Sequence, residues 1–308
     1  MKYLVLGGNG FIGSHLVAAL CENGHSVRVF DRSTVSNDSR TKSAEYITGD
    51  FQNTFALAEA LSGIDVVYHL ISTTVPSTSN LDMVNDIQTN LVSTVRLLQT
   101  MIDVGVKKIV FLSSGGTVYG NPESNPIAES HALNPICSYG VTKIAIEKYL
   151  FLFKQLHKLE YNILRVSNPY GANQHHYGVQ GVIQTFLLKA LKGETITIWG
   201  DGAVERDYIY IDDLISVCVK SGLKMYNDIF NIGSGELVSI SEIIHVIEKV
   251  TDRKLKIEKL PSRDFDVKSI SLDCTKAKEK FSWSPSCDLE SGILKNWEEL
   301  LGNESSNS

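Results

Sequence analysis

No run of eighteen consecutive apolar residues occurs in the 308-residue chain, so no segment can span a bilayer as a helix. Cysteine is scarce. The five present (Cys21, Cys137, Cys218, Cys274, Cys287) are odd in number, widely scattered and without a C-x-x-C pair. That excludes a disulfide framework or a thiolate zinc site and fits a reducing compartment. There is no low-complexity tract and no internal repeat. A net charge of −6 leaves no basic excess, which argues against nucleic acid or an anionic membrane as the main partner. The start, Met1-Lys2-Tyr3-Leu4-Val5-Leu6, runs directly into glycines without the apolar stretch and cleavage site of a signal peptide. The expected compartment is the cytoplasm.

What is there is a globular composition, 43% apolar and 21% charged, in a chain long enough to bury a large core without metals or disulfides. Short apolar runs at 3–6, 26–31, 45–48, 65–71, 107–113 and 161–166 read as strands, and 11–23, 54–62, 83–104 and 138–158 as helices. That alternation predicts an α/β fold, a doubly wound parallel sheet with helices on both faces and ligands beyond the carboxyl ends of the strands. After residue 166 the rhythm loosens, with helices expected near 179–192, 211–222 and 239–250. The expected domains are 1–167, a nucleotide-binding domain, and 168–308, a smaller mixed α/β lobe, with 208–232 returning to the first. Tyr149-Leu150-Phe151-Leu152-Phe153 makes the 138–158 helix apolar nearly all round. Such a helix needs cover on more than one side, from its own domain or from a homodimer partner.

Gly7-Gly8-Asn9-Gly10-Phe11-Ile12-Gly13 follows the first strand and opens the first helix. Glycines here permit a tight turn and let backbone N–H groups approach a pyrophosphate. The spacing is G-x-x-G-x-x-G, a variant of the dinucleotide fingerprint, and Asp31 ends the second strand, where an acid holds ribose hydroxyls. An acid there favours NAD, and Arg32 beside it leaves NADPH open. Asp50 could hydrogen-bond the adenine. The bland alternative is a glycine turn beside surface acids.

Ser138-Tyr139-Gly140-Val141-Thr142-Lys143 opens a helix, with Ser138 the expected N-cap. Tyr139 and Lys143 share a face. An ammonium beside a phenol lowers the phenol's pKa, so Tyr139 could exchange a proton with a sugar hydroxyl during hydride transfer. Alone, Tyr-x-x-x-Lys is an ordinary helix face. The ordered set of motifs is not. Besides the glycine loop, it contains Tyr68-His69-Leu70, Asn90, Val118-Tyr119-Gly120, Arg165-Val166-Ser167-Asn168-Pro169-Tyr170-Gly171, Trp199-Gly200-Asp201-Gly202, Arg206-Asp207-Tyr208, Asp212-Asp213 and Asn231-Ile232-Gly233-Ser234-Gly235.

Over nearly its whole length the chain resembles the extended short-chain dehydrogenase/reductase family of nucleotide-sugar epimerases, dehydratases and reductases. The resemblance implies a Rossmann domain holding NAD through Gly7, Gly10, Phe11, Ile12, Gly13, Asp31, Arg32, Asp50, Phe51, Leu70, Asn90, Tyr139 and Lys143. It makes Tyr139 the catalytic acid/base, tuned by Lys143. Asn168, Arg206 and Arg263 would contact the diphosphate of a nucleotide sugar, a role that suits an arginine fork, although Arg263 reads equally well as a solvated loop residue. Ile270 lies where related epimerases gate sugar size. His175-His176 lack a third ligand at metal spacing, so no metal is expected, and His69 reads as structural.

The departures discriminate between reactions. Where typical 4-epimerases carry a serine that bonds the reacting hydroxyl, this chain has Gly115, leaving Ser114 or Thr117 as replacements. Gly116 and Thr117 stand where 4,6-dehydratases have an acidic pair, and decarboxylases a glutamate. Thr74 replaces a lysine that helps epimerases retain NAD. These losses favour a 4-ketoreductase acting on a dTDP-4-dehydro-6-deoxyhexose, for example towards dTDP-fucose for surface polysaccharide. The alternatives are a UDP-glucose or UDP-GlcNAc 4-epimerase and, more remotely, a non-catalytic NAD-binding regulator.

Overall fold

The structure is a computed structural model that describes residues 1–33, 39–174, 181–261 and 267–307. In chain order the elements are β1 (Lys2–Leu6), α1 (Phe11–Glu22), β2 (Ser26–Asp31), β3 (Glu45–Thr48), α2 (Thr54–Leu61), β4 (Val66–His69) and α3 (Met83–Asp86). A π-helical segment (Ile87–Val92) leads into α4 (Ser93–Asp103), β5 (Lys108–Ser114), α5 (Ser138–His157), β6 (Glu160–Val166) and β7 (Asn168–Tyr170). Then come α6 (Val182–Lys192), β8 (Ile196–Trp199), β9 (Glu205–Arg206), β10 (Tyr208–Tyr210), α7 (Ile211–Leu223), β11 (Asp228–Ile232) and β12 (Val238–Ser239). The chain continues with α8 (Ile240–Thr251), β13 (Ile257–Leu260), β14 (Ser269–Ile270), α9 (Thr275–Phe281) and α10 (Leu289–Asn307).

The chain divides into two compact units. The first comprises Met1–Gly120, Ala132–Val166 and Ile215–Phe230, the second Asn121–His131, Ser167–Leu214 and Asn231–Ser308. The expected division into 1–167 and 168–308 has no counterpart to Asn121–His131, and the returning segment is shorter than 208–232.

A seven-stranded sheet, order β11-β6-β5-β4-β1-β2-β3, forms the first unit. The pairings from β3 across to β6 are parallel, the doubly wound order that reverses direction between β1 and β4. Tyr3, Leu4, Val5 and Leu6 are wholly buried, as a central strand with helices on both faces requires. Leu57 and Leu61 of α2, Leu97, Leu98 and Met101 of α4, and Ile146, Leu150 and Phe153 of α5 pack on Leu4, Val67, Phe111 and Ile163 in one core. Asn162 draws the returning segment onto β6. Its Nδ2 donates to Ser221 O and Lys224 O, both at 2.8 Å, and its Oδ1 accepts Tyr226 N–H at 2.8 Å.

The sequence-predicted helix over 83–104 proves to be interrupted by the π-helical segment, a local widening frequent at functional positions. Ser138 is not the N-cap of α5. That position falls to Cys137, which makes no side-chain cap bond, while the Ser138 hydroxyl donates to the buried Asp86 carboxylate at 2.6 Å. A charged acceptor outcompetes the neutral cap.

The second unit is organised around another buried carboxylate. Asp207, 0% exposed, accepts Ser234 N–H (2.8 Å), Ser234 Oγ (2.9 Å), Gly235 N–H (3.1 Å) and Leu272 N–H (3.1 Å). A Cβ on Gly233 would lie 2.3 Å from Asp207 Oδ2, so Asn231-Ile232-Gly233-Ser234-Gly235 is built to wrap this acid.

Candidate active site

The glycine loop is shaped by steric necessity. Gly7 has φ +83°, and a Cβ on Gly13 would stand 2.1 Å from Gly7 O and 2.7 Å from the Gly8 Cα. Gly10 caps α1 without any side-chain acceptor for the first-turn N–H groups of Phe11, Ile12 and Gly13, the arrangement in which a helix N-terminus receives a phosphate. Asp31, at the end of β2, accepts Asn9 N–H at 3.1 Å through Oδ2 and Arg32 N–H at 2.7 Å through Oδ1. The acid therefore faces the loop, while the Arg32 side chain is exposed. This cradle, closed to a Cβ at Gly13 and flanked by an acid, fits a dinucleotide carrying free ribose hydroxyls.

Asp50 is exposed and closes a turn by accepting Gln52 N–H at 2.8 Å. Phe51 is buried, its ring 5.2 Å from that of His69. Leu70 continues β4, donating its N–H to Leu6 O at 3.1 Å. His69 is 1% exposed, and its pKa is pushed down to about 3 by burial and by the Lys143 charge. Thr94 Oγ1 lies 2.8 Å from His69 Nε2 and gives its own proton to Asn90 O at 2.6 Å. The proton between the two side chains therefore sits on Nε2, and Nδ1 is a buried acceptor without a partner among the described residues. The Asn90 side chain is committed to the chain itself: Oδ1 accepts Thr73 N–H (2.9 Å), and Nδ2 donates to Thr73 Oγ1 (2.8 Å) and Asp86 Oδ1 (2.9 Å).

Tyr139 and Lys143 lie one turn apart on α5, with Nζ 5.4 Å from the phenol ring centroid. Lys143 is 6% exposed. Its ammonium donates to Leu112 O at 2.8 Å and lies 4.7 Å from the Phe111 ring centroid. Burial lowers its pKa to about 8, opposed by the charges of Glu147 and Asp86. Tyr139 departs from the sequence-based expectation. Burial pushes its phenol up to about 12; Cys137 and Asp86 add to the rise, and a hydrogen bond with Ser72 opposes it. Desolvation dominates, and the Lys143 ammonium, which donates to Leu112 O, does not offset it.

Below the pair, Glu147 accepts Ser113 Oγ (2.6 Å), Arg165 Nε (3.0 Å) and Arg165 Nη2 (2.6 Å), while Arg165 Nη1 donates to Tyr119 OH (3.0 Å). This four-residue cluster anchors the middle of α5 to β5 and β6.

Ser114 ends β5, and its carbonyl accepts Val118 N–H at 3.2 Å, forming the turn that carries Gly115, Gly116 and Thr117. Gly115 N–H donates to Val166 O at 2.8 Å. A Cβ on Gly140 would lie 2.9 Å from Thr117 O, so Thr117 packs against the residue that follows Tyr139. Its Oγ1 is buried and has no hydrogen-bond partner among the described residues. Thr74, at the expected lysine position, donates its hydroxyl to Asp86.

In the second unit, Asn168 donates its N–H (3.1 Å) and Nδ2 (2.8 Å) to Asp207 O, and Asp207 N–H donates to Ile270 O at 2.9 Å. Arg206 pairs with Ile270 across the β9–β14 ladder and donates Nη1 to Glu205 O at 2.8 Å. Asn168, Arg206 and Ile270 are thus brought together around the Asp207 backbone. Arg263, His175 and His176 lie outside the described residues. Among the described residues no cluster of His, Cys, Asp or Glu is arranged to hold a metal, and no helix is long and apolar enough to cross a membrane.

The sequence-based reading missed Asp86, Asp207 and the Glu147–Arg165 pair. Asp207 sits inside the quoted Arg206-Asp207-Tyr208 motif. Glu147 lies four residues beyond Lys143 on a buried face, and Asp86 lies four before Asn90. Acids at those helical spacings were the available signal.

Residues 3–233 match the model of the NAD dependent epimerase/dehydratase family. The chain is 37% identical over 300 residues to a putative UDP-glucose 4-epimerase of Methanocaldococcus jannaschii, covering 96% of this chain and 97% of that protein. It is 36% identical over 303 residues to the dTDP-4-dehydro-6-deoxyglucose reductase of Escherichia coli, covering 95% of each. Among solved structures, the UDP-glucose 4-epimerase of Thermotoga maritima with UDP-glucose superposes with a TM-score of 0.94 at 34% identity, over 99% of this chain and 100% of that one. A loop whose turn requires glycine, an acid facing it, a tyrosine–lysine pair one turn apart with its lysine buried, and likeness at this level over the whole length agree: the chain belongs to the NAD-dependent epimerase/dehydratase family.

Proposed function

We propose that this chain catalyses hydride transfer at C4 of a nucleotide-diphosphate sugar, as a 4-ketoreductase that reduces a dTDP-4-dehydro-6-deoxyhexose to a dTDP-6-deoxyhexose such as dTDP-fucose. The observation that carries the reading is Gly115. Oxidising an unactivated alcohol leans on a hydroxyl partner at that position, whereas a ready-made ketone needs only a proton donor. A phenol held up to about 12 supports it, because Tyr139 stays protonated at neutral pH and can give its proton to the developing alkoxide.

The N–H groups of Phe11, Ile12 and Gly13 receive the cofactor pyrophosphate between Gly7 and Gly10. Asp31 takes the ribose hydroxyls beside Arg32, Asp50 and Phe51 border the adenine, and Leu70 lines the pocket. Asn90 acts by holding the loop at Thr73. NAD, when bound, supplies the hydride carrier. Tyr139 delivers the proton to O4. Lys143, its ammonium fixed by Leu112 O, holds the nicotinamide ribose and steadies the charge left on the phenol. Thr117 Oγ1, buried and unpartnered, is the better of the two replacement hydroxyls for bonding O4. Ser114 carries the turn that places it. Asn168 and Arg206, with Arg263, clamp the diphosphate by charge-assisted hydrogen bonds.

A 4-epimerase is the second reading, favoured by likeness to proteins bearing that name. We place the enzyme in the cytoplasm as a homodimer. Val141, Leu152 and Leu156 of α5 are exposed on one face of the helix, and Val84 and Ile87 are exposed on its neighbours α3 and the π segment. This strip, apolar except for the exposed Lys148 between Val141 and Leu152, fits a second copy of itself about a two-fold axis.

The deciding measurement is NADH absorbance after adding dTDP-4-keto-6-deoxyglucose, generated in place by a 4,6-dehydratase. Stoichiometric loss of NADH, abolished in Tyr139→Phe, is the expected result. No loss with NADH or NADPH rejects the ketoreductase, and UDP-glucose to UDP-galactose conversion without added cofactor would then identify the epimerase. Reduction that survives intact in Tyr139→Phe discards the mechanism.

A further inference from the structure

Asp86 is wholly buried, yet it makes no ion pair among the described residues. Four side-chain donors surround it. Oδ2 accepts Ser138 Oγ at 2.6 Å and Thr142 Oγ1 at 2.9 Å, and Oδ1 accepts Thr74 Oγ1 and, at 2.9 Å, Asn90 Nδ2. Ser138 immediately precedes Tyr139 and Thr142 immediately precedes Lys143 on the helix. Thr74 belongs to the loop after β4, and Asn90 fixes the same loop through Thr73 N–H. The carboxylate lies where α3 passes into the π segment. Burying an acid without a counter-ion is costly, and packing alone would be served as well by an apolar residue.

We propose that Asp86 is a positioning residue for hydride transfer, a single carboxylate that ties the first turn of α5 to the loop after β4 and thereby sets the placement and charge environment of the Tyr139–Lys143 pair. Its charge acts on both partners: it raises the Tyr139 phenol, behind desolvation and Cys137, and it raises Lys143 against the desolvation that dominates there. The other groups facing the pair are Ser72 on Tyr139, Glu147 on Lys143 with Arg165 beyond it, and the neutral ring of His69. Among the described residues, only Asp86 acts on both.

The kinetic arm of the test rests on the proposed hydride transfer; the spectroscopic arm does not. In Asp86→Asn the amide can turn its oxygen to Thr74 and Asn90 and its NH2 to the Ser138 and Thr142 hydroxyls, which then accept, so the variant is expected to fold. With lysines labelled at Cε, the Lys143 resonance is assigned by its loss in Lys143→Met and titrated. Removing the negative charge is expected to move the Lys143 midpoint down by roughly one unit and to bring the alkaline fall of kcat/KM down with it. Ser138→Ala/Thr142→Val keeps the charge and cuts the tether. There the midpoint is expected to hold near that of the parent, while kcat falls about tenfold or more with the sugar KM little changed. An unshifted midpoint in folded Asp86→Asn overturns the electrostatic role, and parental kcat in the double variant overturns the positioning role. Should Asp86→Asn fail to fold, the double variant decides alone. A shifted midpoint in an enzyme that turns over no keto sugar would discard the ketoreductase reading and leave the role of Asp86 standing.

Discussion

Cutting Glu147 out of its cluster should cost more than any other single substitution on α5. Arg165 is 1% exposed and Glu147 2%, and the carboxylate takes two of the guanidinium's bonds and the Ser113 hydroxyl. In Glu147→Ala the guanidinium stays buried with only the neutral Tyr119 oxygen among these partners. Breaking a buried pair from one side typically costs about 3–5 kcal/mol. Replacing both charges, Glu147→Leu with Arg165→Met, removes the stranded ion. It takes one hydrogen bond each from the Ser113 and Tyr119 hydroxyls, at about 1 kcal/mol apiece, so the double variant should be the more stable by about 1–3 kcal/mol, the difference between the two costs. Urea unfolding followed by circular dichroism measures both. A second readout is electrostatic: burial sets Lys143 near 8 against the charge of Glu147, so removing that charge should carry Lys143 lower and leave it largely neutral at pH 7.5. A single variant that loses less than about 1 kcal/mol, or a double variant less stable than the single, would refute the reasoning that the pair exists to satisfy a buried arginine.

Gly13→Ala must push its new methyl against Gly7 O and Gly8 Cα, both backbone. The loop has to open, so NAD affinity measured by calorimetry should fall tenfold or more, with about 1–3 kcal/mol lost from the free protein; unchanged affinity would show that the cradle is not where the dinucleotide lies. Leu152→Glu places a charge at the centre of the exposed α5 strip and should convert a dimer to a folded monomer in sedimentation equilibrium. A parent chain that is already monomeric would sink the interface.

The parallel sheet was legible because central strands buried on both faces must be continuous apolar runs, and β1 and β5 are such runs. The glycine loop was legible because its constraints are local: Gly7 needs a positive φ, and Gly13 needs the absence of a side chain. The state of Tyr139 was not, for a physical reason. Spacing reports that a lysine shares its face, but whether the ammonium or desolvation wins depends on where Nζ points, and Leu112 O claims it at 2.8 Å. The capping role expected of Ser138 failed in the same way. A serine before a helix is a cap only if nothing better accepts its proton, and the better acceptor lies 52 positions away in sequence.

Asp86, Glu147 and Asp207 share one property that explains why none was foreseen. Each is an acid whose partners are hydroxyls, a side-chain amide, backbone N–H groups or a buried arginine, most of them supplied by distant segments, so local spacing alone hints at the acid without separating it from a solvated surface charge. Each also sits directly behind residues that the sequence did mark: Asp86 behind Tyr139 and Asn90, Glu147 behind Lys143, Asp207 behind Asn168 and Arg206. Groups that touch substrate are recognisable by type and spacing because chemistry restricts them. The acids that hold such groups are restricted only by geometry, and so they became visible only once the strands and helices were in place.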